Sequence, residues 1–356
     1  MTKPLVLVTG GSGFIALHII LQLLQSDYCV RVTLRTLARE PQLRDALIVA
    51  GAPATSTDPS ILSFVTADLT HDAGWDAAVA GCTYVLHVAS PFPSAAPRNE
   101  DDLIVPAREG TLRVLRAAQA AGVKRVVVTS SFAAIGYGSV DKPGHVYTEA
   151  DWTPVDDMTV PAYQRSKTLA ERAAWDFISE ECRGKKEGGG EMELSVVCPV
   201  AVMGPIIDKE ARLSTSTELV KRMLSGGMPA VPRLQLGIVD VRDVAQVHLK
   251  AMLEPQAADQ RYLCVAGQQM WLREIAGVLK ERLGEKARSV SQMQAPSFLL
   301  RLAAYVSATA RLVGSELDRE KVVSGEKATA LLGREFITRE DSIIATAESL
   351  FELGML

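Results

Sequence analysis

The chain alternates between short apolar runs and longer segments in which apolar residues recur every three or four positions. A short apolar run predicts a buried strand, and the longer spacing predicts a helix with one buried face. The predicted strands are residues 5–8, 28–35, 62–69, 84–90, 125–131, 194–199 and 261–267. The predicted helices begin near residues 14 and 161, follow Asp240 as an N-cap, and cover residues 103–120, 219–224, 272–283 and 337–351. Strands that alternate with helices are typical of an α/β fold with a parallel sheet.

Three glycines stand between the first predicted strand and the first predicted helix, in the sequence Thr9-Gly10-Gly11-Ser12-Gly13-Phe14-Ile15-Ala16. Glycines at this position let backbone N–H groups approach a pyrophosphate, and the positive end of the helix stabilises its charge. The spacing is G-x-x-G-x-x-A instead of the dinucleotide fingerprint G-x-G-x-x-G, so a plain strand-to-helix turn is the alternative. We predict that the turn binds a dinucleotide through Thr9, Gly10, Ser12, Gly13, Phe14 and Ile15.

The second predicted strand ends in a basic residue, Arg35, and Arg39 follows shortly after it. In a dinucleotide-binding βαβ unit this position meets the adenosine ribose. An acid there favours a free 2′-hydroxyl, and an arginine accommodates a 2′-phosphate. We therefore predict NADP(H) as the cofactor, with an ordinary solvated arginine as the alternative interpretation of Arg35.

The carboxyl ends of the other predicted strands meet the same edge of a doubly wound sheet, where the cofactor binds. Asp68 and Leu69 are candidates for the adenine pocket, and a turn-capping role for Asp68 is the alternative. The next two strand ends contribute further cofactor-binding candidates, namely Val88, Ala89, Ser90 and Thr129. His87 lies inside its strand, and we expect it to be a core residue.

A tyrosine and a lysine four residues apart, Tyr163 and Lys167, share one face of a predicted helix. A tyrosine can donate a proton to a carbonyl oxygen, and a nearby cation favours the phenolate that the reverse step needs. Ser130 and Ser131 end a neighbouring strand, where a hydroxyl can hold the substrate oxygen. We predict that this group catalyses hydride transfer to a carbonyl carbon; an exposed surface pair is the alternative for the tyrosine and lysine.

The composition indicates a packed globular protein that acts on a small molecule. Of the 356 residues 47% are hydrophobic, the net charge is -4, and no basic run suggests nucleic acid as a ligand. The five cysteines are scattered without C-x-x-C pairing or metal-ligand spacing, so we expect buried thiols and no metal site. A strand predicted close to the N-terminus leaves no room for a signal peptide, and arginines interrupt the amphipathic segment 298–313, which argues against a membrane span. We expect a cytoplasmic protein, either a monomer or a homodimer.

Five motifs together resemble the extended short-chain dehydrogenase/reductases: residues 9–16, 68–69, 86–91, 129–131 and 163–167. Residues 30–35 and 166–175 are more narrowly similar to the branch of dihydroflavonol 4-reductase, cinnamoyl-CoA reductase and yeast methylglyoxal reductase. The resemblance implies NADPH-dependent reduction of an aldehyde or ketone, with Tyr163 as the acid. It also implies that Lys167 binds the nicotinamide ribose and lowers the tyrosine pKa, and that Ser131 polarises the carbonyl. The family pattern places Pro199 and Val202 near the nicotinamide.

One departure and one apolar stretch refine this expectation. Ala16 replaces a glycine common in the family motif, as it does in the yeast-type members. The residues after Ser131 are apolar through Ile135, which fits a hydrophobic or aromatic carbonyl compound. Phe92 and Phe132 are candidates for the substrate wall, with plain core packing as the alternative.

The expected architecture is a doubly wound parallel-sheet Rossmann fold with a smaller, mainly helical C-terminal substrate lobe. Residues 1–199 plus about 238–267 form the predicted NADP-binding domain, and about 200–237 plus 268–356 form the predicted substrate-binding lobe. A nucleotide-sugar epimerase or dehydratase shares the sheet and the tyrosine–lysine pair and is the nearest alternative. Phe132 and Ala133 stand where sugar dehydratases carry acids, and Arg35 argues for NADP over a retained NAD. A non-catalytic NADPH sensor is the second alternative, although such proteins typically lose the tyrosine or the lysine.

Overall fold

The computed structural model describes residues 3–91, 99–138, 144–157, 159–182, 191–211, 213–303, 314 and 316–356. Phe92, predicted as a substrate-wall residue, lies outside the described residues, and so does the Gly/Lys-rich loop 184–190. Within the described ranges, no helix is both long and apolar enough to cross a bilayer.

The strands, numbered in chain order, are β1 (Leu5–Val8), β2 (Cys29–Leu34), β3 (Leu62–Thr66), β4 (Tyr84–His87), β5 (Arg125–Thr129), β6 (Val146–Tyr147), β7 (Glu193–Pro199), β8 (Ala201–Met203), β9 (Gln235–Leu236), β10 (Ile238–Asp240), β11 (Gln260–Cys264), β12 (Met270–Trp271) and β13 (Val322–Val323). The helices are α1 (Phe14–Gln25), α2 (Glu40–Val49), α3 (Trp75–Val79), α4 (Asp101–Ala120), α5 (Ala162–Phe177), α6 (Thr215–Leu224), α7 (Val241–Leu253), α8 (Leu272–Leu283), α9 (Ser297–Ala303), α10 (Glu326–Leu332) and α11 (Arg339–Glu352).

A seven-stranded sheet in the order β11-β7-β5-β4-β1-β2-β3 forms the centre of the fold. Each neighbouring pair in it is parallel. The strand order reverses between β1 and β4, because β2 and β3 lie on one side of β1 and β4 and β5 on the other. In an open α/β sheet, ligands bind at the carboxyl ends of the strands next to such a reversal. The predicted doubly wound Rossmann fold is confirmed.

Helices cover both faces of the sheet, and alternate residues of β1 show how. Val6 and Val8 belong to a buried cluster with residues of α1 and α7, whereas Leu7 belongs to a second cluster with residues of α3, α4 and α5. Because successive side chains of a strand point to opposite faces, each face of the sheet has its own core. Covered on both sides, the strands have the near-continuous apolar character seen in the sequence.

A third buried cluster lies in the C-terminal half and joins β8, β10, α6, α8 and α11. Helix α10 instead packs on the sheet side, where Ala328, Leu331 and Leu332 join the cluster of α1 and α7. The division of the chain into a cofactor domain and a substrate lobe stays a prediction.

The structure corrects the expected elements in two respects. The predicted strands at 62–69, 84–90, 125–131 and 261–267 run two or three residues too far, since β3, β4, β5 and β11 end at Thr66, His87, Thr129 and Cys264. Sequence analysis also assigned no element to the helices α2 and α3 or to the two- and three-residue strands β6, β8, β9, β10, β12 and β13. Among these strands, β8 and β10 pair in parallel from Ala201↔Ile238 to Met203↔Asp240. Strands of three residues are too short to show a period in the sequence.

Candidate active site

The glycine turn between β1 and α1 fits closely against its neighbours. Gly10 has a φ of +70°, and a Cβ on it would lie 2.9 Å from the Cα of Ala89. A Cβ on Gly11 would lie 1.9 Å from Cγ1 of Val32. Gly10 is therefore required by its left-handed backbone, and Gly11 by the approach of the turn to β2. Sequence analysis left Gly11 out of the predicted cofactor-binding residues, although its place in the glycine motif was the available signal.

Helix α1 begins directly after this turn with Gly13 as its N-cap. No side chain caps the helix, and its first turn contains no acidic residue. The positive end of the helix dipole therefore points to the carboxyl edge of the sheet without a neutralising carboxylate, as a pyrophosphate site requires.

Thr9 joins the ends of β1 and β4 on either side of the strand reversal. Its Oγ1 accepts hydrogen bonds from the backbone N–H groups of Val88, at 3.1 Å, and Ala89, at 3.0 Å. Its hydroxyl proton is then directed to Nδ1 of His87, 2.9 Å away, which leaves that imidazole with its proton on Nε2. Burial, together with a smaller effect from the charge of Lys167, lowers the pKa of His87 to about 3. The expectation that His87 is a core residue is confirmed.

At the expected adenosine end, Arg35 is exposed immediately after the last residue of β2. The Asp68 carboxylate accepts hydrogen bonds of 2.8 Å from both the backbone N–H and the hydroxyl of Thr70. These bonds are the main reason that the pKa of Asp68 lies below its ordinary value. The structure therefore shows the turn-capping role of Asp68, and its contact with adenine, together with that of Leu69, stays a prediction.

Arg39 lies near Arg35 but has a protein partner. Its Nη2 is 2.5 Å from Oδ2 of Asp208, whose side chain is almost completely buried. Its Nε is also buried and has no hydrogen-bond partner among the described residues. Sequence reasoning did not anticipate Asp208, because no local pattern connects it with Arg39.

Ser131, Tyr163 and Lys167 meet at the carboxyl end of β5. Ser131 caps a 3-10 turn at Phe132–Ala134, and its Oγ accepts a hydrogen bond of 3.1 Å from the N–H of Ala133. Tyr163 lies in the first turn of α5, and its hydroxyl is hydrogen-bonded to Ser131. Lys167 lies one turn further along α5, and its Nζ donates to the backbone oxygen of Thr129 at 3.4 Å. The structure thus brings together the three residues predicted to be catalytic.

Burial shifts the pKa values of both titratable members of this group. It raises the pKa of Tyr163 to about 12, an effect that the hydrogen bond with Ser131 reduces. It lowers the pKa of Lys167 to about 8, while Cys198 and Glu171 act in the opposite direction. In this structure the tyrosine is therefore a protonated phenol at neutral pH, so burial outweighs the lowering of its pKa that the resemblance implies.

The two adjacent serines point to different partners. Ser131 is bonded to Tyr163, whereas the Oγ of Ser130 donates a hydrogen bond of 2.5 Å to Oε2 of Glu171. Because neighbouring side chains of an extended segment point to opposite sides, only one of the serines faces the tyrosine. That serine is Ser131, the one predicted.

Of the two predicted substrate-wall residues, Phe132 is among the described residues, and it is packed into the core. It is 7% exposed, and its ring centroid lies 5.8 Å from that of Tyr137 and 6.0 Å from that of Tyr147. These contacts are those of core packing, and a contact of Phe132 with substrate stays a prediction. Pro199 ends β7, and Val202 is buried in the neighbouring β8.

Comparison with known proteins places this arrangement in a family. The family model described as the NAD dependent epimerase/dehydratase family matches residues 6–266. The chain belongs to this family.

Within the family, the chain is similar to reductases. It is 32% identical over 292 residues to an anthocyanidin reductase of Vitis vinifera, covering 79% of this chain and 81% of that protein. It is 32% identical over 290 residues to dihydroflavonol 4-reductase of Zea mays, covering 80% of this chain and 75% of that protein. The crystal structure of yeast methylglyoxal/isovaleraldehyde reductase Gre2 complexed with NADPH superposes with a TM-score of 0.79 at 28% identity, covering 99% of this chain and 100% of that one. The resemblance to this branch of the extended short-chain dehydrogenase/reductases is confirmed.

Proposed function

We propose that this protein is an NADPH-dependent carbonyl reductase that converts an aldehyde or ketone into an alcohol, with Tyr163 as the general acid. It is an NADP-dependent oxidoreductase of the extended short-chain dehydrogenase/reductase type, as its reductase relatives and the NADPH complex of the yeast enzyme indicate. The observation that carries the proposal is the hydrogen bond between Ser131 and Tyr163 at the sheet edge, with Lys167 one turn along the same helix.

The residues at the strand reversal fit a dinucleotide phosphate. Gly10 lies where a Cβ would meet the backbone of Ala89, so only glycine lets the turn lie this close to the end of β4. The uncapped start of α1 favours a pyrophosphate, and the exposed Arg35 favours a 2′-phosphate. Further residues at the same edge would hold the remainder of the cofactor: Thr9, Ser12, Gly13, Phe14, Ile15, Val88, Ala89, Ser90, Thr129, Pro199 and Val202.

Bound NADPH supplies the hydride that reduces the carbonyl carbon. Tyr163 donates its phenolic proton to the carbonyl oxygen as negative charge develops there, and Ser131 donates a hydrogen bond to the same oxygen. A pKa of about 12 keeps Tyr163 protonated at neutral pH, which suits an acid in the direction of reduction. Positioned acids of this kind contribute about 10²- to 10⁴-fold in rate.

Lys167 has two roles in this mechanism. Its ammonium group binds the nicotinamide ribose, and its charge makes the tyrosinate left after proton transfer less unfavourable. With a pKa of about 8, Lys167 is mostly protonated at pH 7 and loses its charge in mildly basic solution.

The substrate is proposed to be hydrophobic or aromatic. The residues that follow Ser131, from Phe132 to Ile135, are all apolar and buried. The names of the relatives include the flavonoids anthocyanidin and dihydroflavonol as well as the small aldehydes methylglyoxal and isovaleraldehyde. Isovaleraldehyde carries an apolar alkyl chain, and the flavonoids carry aromatic rings.

The test is consumption of NADPH with aromatic aldehydes, α-keto esters, diketones and dihydroflavonols, measured for the wild type and for Tyr163→Phe. We expect the variant to lose turnover while its affinity for NADPH is retained. Tyr28→Phe is the matched control, since Tyr28 precedes β2 and is distant in sequence from the catalytic group. Wild-type turnover in Tyr163→Phe would contradict the proposal, and tightly held NAD released from the purified protein would favour an epimerase.

A further inference from the structure

A buried ion pair lies behind the catalytic group. Nε of Arg261, on β11, is 2.6 Å from Oε1 of Glu171, on α5, and the two side chains are 8% and 0% exposed. The second carboxylate oxygen of Glu171 accepts the hydrogen bond from Ser130. Glu171 therefore connects the helix of Tyr163 and Lys167 to both β5 and β11.

Arg261 is held rigidly in its place. Its guanidinium carbon lies 3.8 Å from the ring centroid of Trp152, and its Nη1 donates to the backbone oxygens of Glu149 and Asp151. The cation thus has a stacking partner and carbonyl acceptors besides Glu171. A carboxylate that pairs with so constrained a cation has a fixed position itself.

Glu171 is one turn of helix from Lys167, and the two residues share the same surroundings. Lys167, Glu171, Ser130, Ala89 and Ser90 line one small cavity. Ala89 and Ser90 belong to the predicted cofactor edge, so the ion pair borders the active site and is not a remote feature of the fold.

Lys167 faces titratable groups from several elements. They are His87 on β4, Cys198 on β7, and Tyr163 and Glu171 on its own helix, with Arg261 on β11 behind Glu171. Burial holds His87 neutral and raises the pKa of the Cys198 thiol well above its ordinary value. Among these groups Glu171 is the one that supplies negative charge near Lys167 at neutral pH.

We propose that Glu171, fixed by Arg261, is a positioning residue for the reduction, because it orients Ser130 and places a carboxylate one helical turn from the buried ammonium group of Lys167. The inference rests on the proposed function. Stability alone is a weak reason for a buried ion pair, since desolvation of both charges offsets their attraction. A role in the charge state of Lys167 accounts for the position of Glu171, one helical turn from that lysine.

The experiment compares three variants: Glu171→Gln, Arg261→Met and the double variant. The glutamine oxygen can still accept from Ser130, so Glu171→Gln removes charge with little change of shape. The dissociation constant of NADPH is measured by fluorescence from about pH 7 upward, where the 2′-phosphate no longer titrates. The same pH series is measured for kcat.

NADPH affinity and kcat should both fall at basic pH, where Lys167 loses its proton; we call this fall the basic limb of each profile. In Glu171→Gln the limb should move about one pH unit lower, because Lys167 deprotonates more easily without the negative charge. Loss of the positive charge in Arg261→Met should move the limb to higher pH. The double variant leaves no uncompensated buried charge, so it tests the effect even if a single variant folds poorly. Its limb should lie between those of the two single variants, because the two shifts have opposite signs.

A purely structural role would weaken both single variants in the same direction. Limbs that shift together, or that stay at the wild-type pH, would overturn the inference. The binding profile needs no turnover and therefore separates the two proposals. If Tyr163→Phe keeps wild-type activity while the binding limbs shift in opposite directions, the proposed function fails and the role of Glu171 stands.

Discussion

Arg39 and Asp208 form an ion pair of 2.5 Å that ties the segment after β2 to the segment before α6. Asp208 also accepts hydrogen bonds from Nε2 of Gln42, at 2.8 Å, and from the N–H of Glu210, at 3.0 Å. A nearly buried carboxylate thus holds one of the two arginines expected at the 2′-phosphate. Asp208 and the phosphate are expected to compete for the same guanidinium.

The first prediction follows from this competition. Asp208→Asn keeps an oxygen for Gln42 and Glu210 but removes the charge, so Arg39 is free to turn to the phosphate. We expect NADPH to bind about fivefold more tightly, the equivalent of about 1 kcal/mol, with no change for NADH. Fluorescence titration with both cofactors measures this, and the gain should disappear in Arg39→Gln/Asp208→Asn. Equal tightening of NADH would show that the competition does not exist.

Arg35 is predicted to select the cofactor. Arg35→Asp should raise the KM for NADPH by about 10- to 100-fold, since a charge-assisted contact becomes a repulsion, and should change the KM for NADH far less. The residue is exposed, so the melting temperature should stay near that of the wild type. Arg35→Gln separates loss of attraction from added repulsion and should lie between the two. An unchanged ratio of the two KM values would refute the assignment.

The adjacent serines provide a matched pair. Ser131→Ala should lower kcat by about 10²- to 10³-fold, because it removes the hydroxyl that is bonded to Tyr163 and proposed to bind the carbonyl oxygen. Ser130→Ala should lower kcat much less, since the Ser130 hydroxyl is bonded to Glu171 and not to Tyr163. NADPH affinity measured in parallel should be retained in Ser131→Ala. Equal losses of kcat in the two variants would mean that both hydroxyls contact the substrate.

Local patterns in the sequence predict much of this fold and most of the candidate site. The apolar runs identify every strand of the main sheet, and the glycine turn, Arg35, Ser131, Tyr163 and Lys167 lie at the predicted strand ends or on the predicted helix. β4 ends earlier than expected because the backbone N–H groups of Val88 and Ala89 donate to the Thr9 hydroxyl instead of to a neighbouring strand. The apolar residues of a strand continue past the point where hydrogen bonding to the neighbouring strand stops. Periodicity in the sequence therefore cannot show where a strand ends.

Contacts between distant residues could not be predicted in this way. Arg39 and Asp208 are 169 residues apart in sequence, and Glu171 and Arg261 are 90 apart. A lone acid or base in a sequence is most simply interpreted as solvated, and only the folded chain shows that these four are partners. Both ion pairs lie next to residues that the sequence did identify. They add contacts to the expected site, and its position at the carboxyl edge of the sheet is unchanged.

Gly11 is predicted to matter for packing, although it was not among the expected cofactor contacts. In Gly11→Ala the new Cβ would overlap Cγ1 of Val32, so the turn or β2 must shift. We expect a loss of about 1–3 kcal/mol in the free energy of unfolding and weaker NADPH binding. The control is Gly227→Ala, where the backbone is not left-handed and the added Cβ would make only ordinary contacts of 3.4 Å or more. Equal melting temperatures for the two variants would contradict this account.

Three buried histidines should make the fold sensitive to acid. Burial lowers the pKa of His18 to about 4, of His87 to about 3 and of His248 to about 4, from an ordinary value of 6.5. Between pH 6.5 and about 4 the unfolded chain holds these protons and the folded chain does not, so the free energy of unfolding falls as the pH falls. In that window each histidine lowers the free energy of unfolding by about 1.4 kcal/mol for every pH unit of acidification. Above pH 6.5 the histidines make no contribution to its pH dependence.

The measurement is proton uptake on thermal unfolding at about pH 5.5, obtained by calorimetry in buffers of different ionisation enthalpy. These histidines should take up about three protons in the wild type. His18→Asn and His248→Asn should each reduce the total by about one, and the double variant by about two, whatever the stability of each variant. His18 bonds to the backbone of Pro205 and His248 bonds to Thr129, so the two substitutions remove different hydrogen bonds. An uptake that neither substitution changes would mean that both histidines are protonated in the folded protein, contrary to their burial.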